Sequence, residues 1–226
     1  MSGSGLLTDA HYAAQLGATY VRVEFDITAA TSQIAPVIAK YAESGTRVLL
    51  LAGFYGRIPS AAEAQNLASW AHAFGPGGTF WNGRSDGNLA VSEIEFGNET
   101  NQSYQFGGCS WNCSQYIPRA ESYALALKTA QVAIDSAGGN SGTGLLAIGD
   151  DGNTGSENWV NGMFKAVPDL GSRIAGWTTH PYGPPSRWQP MVSHMIAWTQ
   201  EHGAPSTLPI YATEFGFSTD NGICLS

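Results

Sequence analysis

Three short stretches of the chain concentrate the side chains able to do chemistry. Asn98 and Glu99 lie in Glu93-Ile94-Glu95-Phe96-Gly97-Asn98-Glu99-Thr100-Asn101, just past an apolar run, and Glu214 closes Ile210-Tyr211-Ala212-Thr213-Glu214-Phe215-Gly216. His180 and Tyr182 lie between them, in Trp177-Thr178-Thr179-His180-Pro181-Tyr182-Gly183. Two carboxyl groups held close together do not both ionise easily, so one pKa rises, while a guanidinium or a phenol beside the other keeps that one low. Such a pair offers one group that gives a proton and one that attacks. No Gly-x-Ser-x-Gly, His-Glu-x-x-His or Gly-x-x-x-x-Gly-Lys sequence occurs, which leaves serine-hydrolase, zinc-peptidase and P-loop readings without footing.

These residues need elements that bring distant parts of the chain to one place. Apolar, β-rich runs at Val21 to Phe25, Arg47 to Gly53, Val91 to Gly97, Leu145 to Asp150, Ile174 to His180 and Pro209 to Phe215 read as strands. Amphipathic stretches at Ala30 to Ser44, Ser60 to Phe74, Ile117 to Ala137, Asn158 to Ala166 and Trp188 to His202 read as helices, and Thr8 to Leu16 is helix-like. Strand then helix, six times over, argues for parallel βα units, in an open doubly wound sheet or a closed barrel. A dinucleotide-binding open sheet wants Gly-x-Gly-x-x-Gly after its first strand, where this chain has Asp26-Ile27-Thr28-Ala29-Ala30. Arg22, Glu24 and Asp26 also share one strand face, and a central strand of an open α/β sheet is apolar on both. A barrel accepts polar side chains on the inside near its C-terminal mouth, so the expected fold is α/β, an incomplete (β/α)8 TIM barrel with about six βα units, 1–226 forming one domain. Parallel strands put their C-terminal ends on one rim, where Glu99 and Glu214 face one cleft.

The motifs Glu-Ile-x-x-x-Asn-Glu, His-x-Tyr and Tyr-x-Thr-Glu-Phe-Gly resemble the ends of strands four, six and seven in the retaining glycoside hydrolases of the cellulase-type (β/α)8 clan, which includes families 5 and 39. The resemblance runs from Leu16-Gly17-Ala18-Thr19-Tyr20-Val21-Arg22 onward. It implies Glu99 as general acid/base, Asn98 on the sugar 2-hydroxyl, and Glu214 as the nucleophile. Arg22 is similar to the clan arginine that keeps the nucleophile ionised, and His180 and Tyr182 to the strand-six pair, with Tyr182 the hydrogen-bond partner of Glu214. Arg22 has a structural alternative, an ion pair with Glu24 or Glu95. The implied activity is hydrolysis of a β-glycan or its oligosaccharides by double displacement, with no cofactor and no metal. The rival reading is a non-catalytic carbohydrate-binding barrel or an inactive truncated homologue. Thr100 stands where clan members often carry Pro, and the clan's first and last strands have no counterpart, so the sequence reads as a fragment.

Composition narrows the partners. Only 12% of residues are charged, against about 25% in typical domains, and 18 acidic residues against 10 basic ones give a net charge of −8. That balance offers no basic surface for nucleic acid or an anionic membrane; the expected partner is a carbohydrate and the expected state a monomer. Trp81, Trp111, Trp188, Tyr104 and Tyr55 fall in expected loops and are the sugar-contact candidates, Trp111 and Trp188 foremost, whereas Trp70 and Trp198 fall where helices pack. Cys109 and Cys113 suit a small disulfide, two free thiols or, least well, a metal site; Cys224 has no visible partner. No signal peptide is visible, and the resemblance implies an extracellular location for the intact protein. Asp150 to Glu157 lacks the ligand and glycine spacing of a calcium loop and reads as a solvated turn.

Overall fold

Helices and strands alternate along the chain because their start signals are written locally. Helix α3 (Ala61–Phe74) opens on a capping box: Ser60 Oγ accepts from the Glu63 N–H, and Glu63 Oε2 accepts from the Ser60 N–H at 2.8 Å. At α2 (Thr31–Glu43) the Gln33 side chain turns back to accept from the Ala30 N–H at 2.9 Å. Helix α6 (Pro185–Glu201) begins three residues before the expected Trp188, because Pro185 at its first position has φ preset for a helix and no N–H to leave unpaired. The remaining elements are α1 (Gly3–Gln15), β1 (Tyr20–Asp26), β2 (Arg47–Gly53), β3 (Glu93–Phe96), α4 (Tyr116–Ser136), β4 (Gly144–Asp150), α5 (Ser156–Ala166), β5 (Gly176–Thr179) and β6 (Ile210–Ala212).

This computed structural model describes residues 3–106, 108–109, 112–137, 142–150 and 155–216. Trp111, Cys224 and positions 151–154 of the expected turn lie outside the described residues. The six strands form one parallel sheet in the order β1-β2-β3-β4-β5-β6, the sequential winding of an incomplete (β/α)8 barrel. The last strand is shorter than expected. It pairs with β5 only at Trp177↔Ile210, Thr178↔Tyr211 and Thr179↔Ala212, and where β5 ends the ladder ends with it, leaving Glu214 two residues past the strand. Among the described residues no helix is long and apolar enough to cross a membrane.

The chain packs as two compact units. The first takes in α1, β1, α2 and β2, then Ser60–Glu95 and Thr129–Leu145. Its core holds Ile34, Ile38, Leu50, Leu67, Trp70 and Phe74, all fully or almost fully buried. Trp70 Nε1 and Asn66 Nδ2 donate to the carbonyls of Ala29 and Ile27 at 2.9 and 2.8 Å, which fastens the β1–α2 loop onto α3. Trp81 belongs here as well. It is buried, its Nε1 donates to the Phe74 carbonyl at 2.8 Å and its ring meets Phe80 edge-on, so the expected sugar-contact role gives way to a packing one. On β1, Arg22 Nε lies 2.5 Å from Oε2 of the fully buried Glu95.

The second unit takes in Phe54–Pro59, Phe96–Lys128 and the chain from Leu146. Its centre is an aromatic chain, Phe54 to Phe96 to Tyr123 to Trp159, with centroids 5.0, 5.5 and 5.9 Å apart. The buried Tyr123 hydroxyl donates to the Phe96 carbonyl at 2.8 Å and accepts from the Ile148 N–H at 3.1 Å, so one side chain closes main-chain groups of β3 and β4.

Removing one member of a buried ion pair strands the other in a medium that solvates charge poorly. Arg22→Met is expected to lower the stability of the chain by about 3 to 5 kcal/mol in urea unfolding, and Arg22→Met with Glu95→Leu to recover most of that loss. Equal losses for the single and double variants would show that the pair does not act as a unit.

Candidate active site

The first carboxylate is placed by a turn that only a narrow set of residues can make. Gly97, the first residue past β3, has φ of 81°, and a Cβ there would stand 2.5 Å from Phe54 Cζ and 2.6 Å from Thr100 Cγ2. Phe54 is buried in the aromatic core and cannot retreat, so the position requires glycine on both conformational and steric grounds. Two residues on, Glu99 itself has φ of 44°, a left-handed backbone that costs a non-glycine residue on the order of 1 to 3 kcal/mol. The turn is held by Gln105, buried, whose Nε2 donates to the Asn98 carbonyl at 2.7 Å, and by the Gln102 N–H on the Glu99 carbonyl at 2.9 Å.

The second carboxylate arrives from the other end of the unit. His180, fully buried just past β5, sets Nδ1 2.9 Å from Glu99 Oε1 and 3.7 Å from Glu214 Oε2. Its Nε2 meets Thr213 Oγ1 at 3.1 Å, which fixes the ring against the segment that carries Glu214. Tyr182 donates its hydroxyl to Glu214 Oε2 at 2.6 Å, and the main chain backs this up with a parallel bridge from Tyr182 to Gly216. One oxygen of Glu99, one oxygen of Glu214 and a ring nitrogen of His180 all lie within 4.8 Å of one another. Both carboxylates are half-buried, open enough to meet a ligand and enclosed enough for their charges to interact.

Four of the residues singled out by sequence therefore converge: Glu99, His180, Tyr182 and Glu214. Asn98 stands on the same turn, with its Nδ2 3.4 Å from the Tyr104 hydroxyl. Arg22 belongs to the first unit, in the ion pair with Glu95 that its strand position also allowed. Trp188, expected in a loop, lies instead in the first turn of α6, because the helix starts at Pro185; its Nε1 donates to the Gly183 carbonyl at 3.0 Å and its ring is edge-on to Phe215. Cys109 and Cys113 are joined in a disulfide with Cα atoms 5.6 Å apart.

Three contributors were not assigned their part by sequence reasoning. Thr213, adjacent to Glu214, buttresses the histidine; Gln105 braces the turn; and Tyr104, considered only as a sugar-contact candidate, donates its hydroxyl to Glu99 Oε2. Partial burial and the Glu99 carboxylate beside it push the Tyr104 phenol well above its ordinary range, so it stays protonated and remains a donor. The signal for Thr213 was available, since its side chain lies one residue before a candidate carboxylate. Nothing in the spacing of Tyr104 marks it, because a loop rather than a regular element carries it back to Glu99.

No protein-family model and no curated protein matches this sequence. Solved structures do. A family 51 α-L-arabinofuranosidase from Bifidobacterium longum superposes with a TM-score of 0.62 at 15% identity, over 96% of this chain and 49% of that one. A glucosidase from Croceicoccus marinus gives 0.63 at 14% identity, over 92% and 47%. An endoglucanase from Pseudomonas stutzeri gives 0.58 at 16% identity, over 95% and 68%. The likeness is one of fold. The chain shares the barrel architecture of these proteins, and it spans about half the length of the first two of them.

Because the turn before Glu99 has no room for a side chain, Gly97→Ala is expected to destabilise the chain by about 2 to 4 kcal/mol in urea unfolding, through strain at positive φ and overpacking against Phe54. A loss below about 0.5 kcal/mol, the scale of an ordinary surface change, would contradict the steric account.

Proposed function

We propose that this chain carries the catalytic centre of a retaining β-glycoside hydrolase of the cellulase-type clan, similar to families 5 and 39 and acting on a β-glycan or its oligosaccharides. One observation carries the reading: Glu99 and Glu214 approach within 4.8 Å through one oxygen each, with His180 between them. Retaining glycosidases hold their two carboxyl groups about 5 to 5.5 Å apart, whereas inverting ones leave about 6.5 to 9.5 Å for a water. The fold relatives named as glycosidases add support for glycan hydrolysis in general. The proposal takes 1–226 as one catalytic domain, monomeric and extracellular in the intact protein, and the Cys109–Cys113 disulfide supports an oxidising compartment.

In the first step Glu99, protonated, gives its proton to the glycosidic oxygen as Glu214 attacks the anomeric carbon. The C–O bond to the leaving group breaks, and a glycosyl ester forms on Glu214. In the second step water attacks that carbon, Glu99 takes the water's proton, and the electron pair of the ester bond returns to Glu214. Tyr182 donates to Glu214 Oε2 at 2.6 Å and holds the carboxylate in place for the attack. Asn98 and Trp188 are assigned to the sugar. Arg22 is assigned on the resemblance alone, its described ion pair giving it a structural part.

The roles separate by mutation. Against a panel of aryl β-glycosides, Glu214→Gln is expected to abolish hydrolysis of every substrate, since no glycosyl-enzyme forms. Glu99→Ala is expected to lose about 10²- to 10⁴-fold on substrates with poor leaving groups and to keep the glycosylation step for dinitrophenyl glycosides. Azide is expected to restore turnover of the latter and give the β-glycosyl azide. Wild-type binding of oligosaccharides with no hydrolysis of the panel would favour the carbohydrate-binding barrel instead. An active Glu214→Gln variant would overturn the assignment of roles.

A further inference from the structure

Both oxygens of Glu99 are engaged, and by groups of different kinds. Oε1 faces His180 Nδ1 at 2.9 Å, and Oε2 receives the hydroxyl of Tyr104. Tyr104 lies in the short turn Ser103–Phe106 that follows Glu99, and its residue is more exposed than buried. Asn98 Nδ2 faces the phenol oxygen at 3.4 Å, occupying it as an acceptor and leaving its proton to Glu99. Titratable neighbours among the described residues include Glu214, within 4.8 Å of the Glu99–His180 pair, Tyr182 on Glu214, and Tyr55, whose electrostatic influence reaches Tyr104.

A group that always donates to Glu99 stabilises the carboxylate over the acid. That sits poorly with the first half of a double displacement, in which Glu99 must be protonated, and well with the second, in which it must be ionised. The first half has its own device: the charge of Glu214 nearby makes a second charge on Glu99 unfavourable. Once Glu214 is esterified that repulsion is gone and Glu99 ionises more easily, and the donated hydroxyl of Tyr104 adds to the stability of the carboxylate so formed. We propose that Tyr104 is a positioning residue that holds Glu99 ionised for the water-activating half of the reaction. The inference deepens the glycosidase reading above and rests on it. The proton it governs passes from the attacking water to Glu99 Oε1 or Oε2 while the bond between the anomeric carbon and Glu214 breaks; Tyr104 keeps its own proton throughout.

Tyr104→Phe removes the hydroxyl and keeps the ring. With the 2,4-dinitrophenyl β-glycoside that the wild type hydrolyses best, whose slow step is deglycosylation, kcat is expected to fall about 10-fold or more and KM to fall with it, leaving kcat/KM within about 2-fold. Azide, which needs no general base, is expected to restore kcat. The basic limb of kcat/KM against pH, which reports the acid/base in the free enzyme, is expected to move to higher pH by about one unit, because the carboxylate has lost a donor. Carboxyl NMR of ¹³C-labelled glutamate, with Glu99→Gln to assign the signal, reads the same change directly: Glu99 titrates at higher pH in Tyr104→Phe than in the wild type. An unchanged kcat, a kcat/KM that falls as far as kcat without azide rescue, or an unmoved Glu99 titration would each overturn the inference. Because the titration is read without substrate, it decides the role of the hydroxyl even in a chain that hydrolyses nothing, an outcome that would count against the glycosidase reading alone.

Discussion

His180 Nδ1 against Glu99 Oε1 at 2.9 Å is the interaction on which the rest of the site depends. The two residues are 81 positions apart and come from different strand ends. Their meeting turns two loops into one centre. The ring has no freedom to serve any other arrangement, since its second nitrogen meets Thr213 and the residue is fully buried. Through Thr213 the histidine also fixes the approach of Glu214, so one imidazole sets the spacing of both carboxylates. A buried polar ring of this kind is costly unless its partners are in place, so the same bonds that organise the site select one arrangement of the three segments.

The strands supply the convergence and the turns supply the aim. Parallel pairing with sequential order brings the ends of β3, β5 and β6 to one side of the sheet, but no strand places a carboxylate oxygen to within an ångström. That is done by the left-handed turn at Gly97 and Glu99, braced by Gln105, and by the Tyr182–Gly216 bridge beyond the last strand. Backbone held in a sparsely populated conformation next to a titrating group is the signature of a position kept for its geometry rather than its stability. The aromatic chain from Phe54 to Trp159 provides the rigid floor against which that strain is held.

Much of this was legible in the residues. The strand Arg47 to Gly53 matches β2 to the residue, and α3 matches from its capping serine onward, because periodicity and capping are local properties. That Glu99, His180 and Glu214 lie near one another was legible from strand ends on a common rim, whereas the Tyr182–Glu214 contact was implied by the resemblance alone. Ends that depend on a partner were less legible: β6 stops where β5 stops, and its own sequence does not say so. Trp81 reads as an aromatic of a loop that would follow a strand end, yet its indole N–H finds the Phe74 carbonyl and the ring is buried. Tyr104 was legible as an exposed aromatic but not as a partner of Glu99, since the return of its loop is a tertiary fact.

The central claim is that Glu99 and Glu214 form one acid-and-nucleophile pair, and a covalent trap tests it most directly. A 2,4-dinitrophenyl 2-deoxy-2-fluoro-β-glycoside slows both steps but carries a leaving group good enough for the first, so a glycosyl-enzyme accumulates. Intact-mass measurement followed by peptide mapping is expected to find one fluoroglycosyl group per chain, attached to Glu214, with reactivation by an added acceptor sugar. A label on another residue, or a chain that hydrolyses the parent aryl glycoside yet takes no label, would contradict the account.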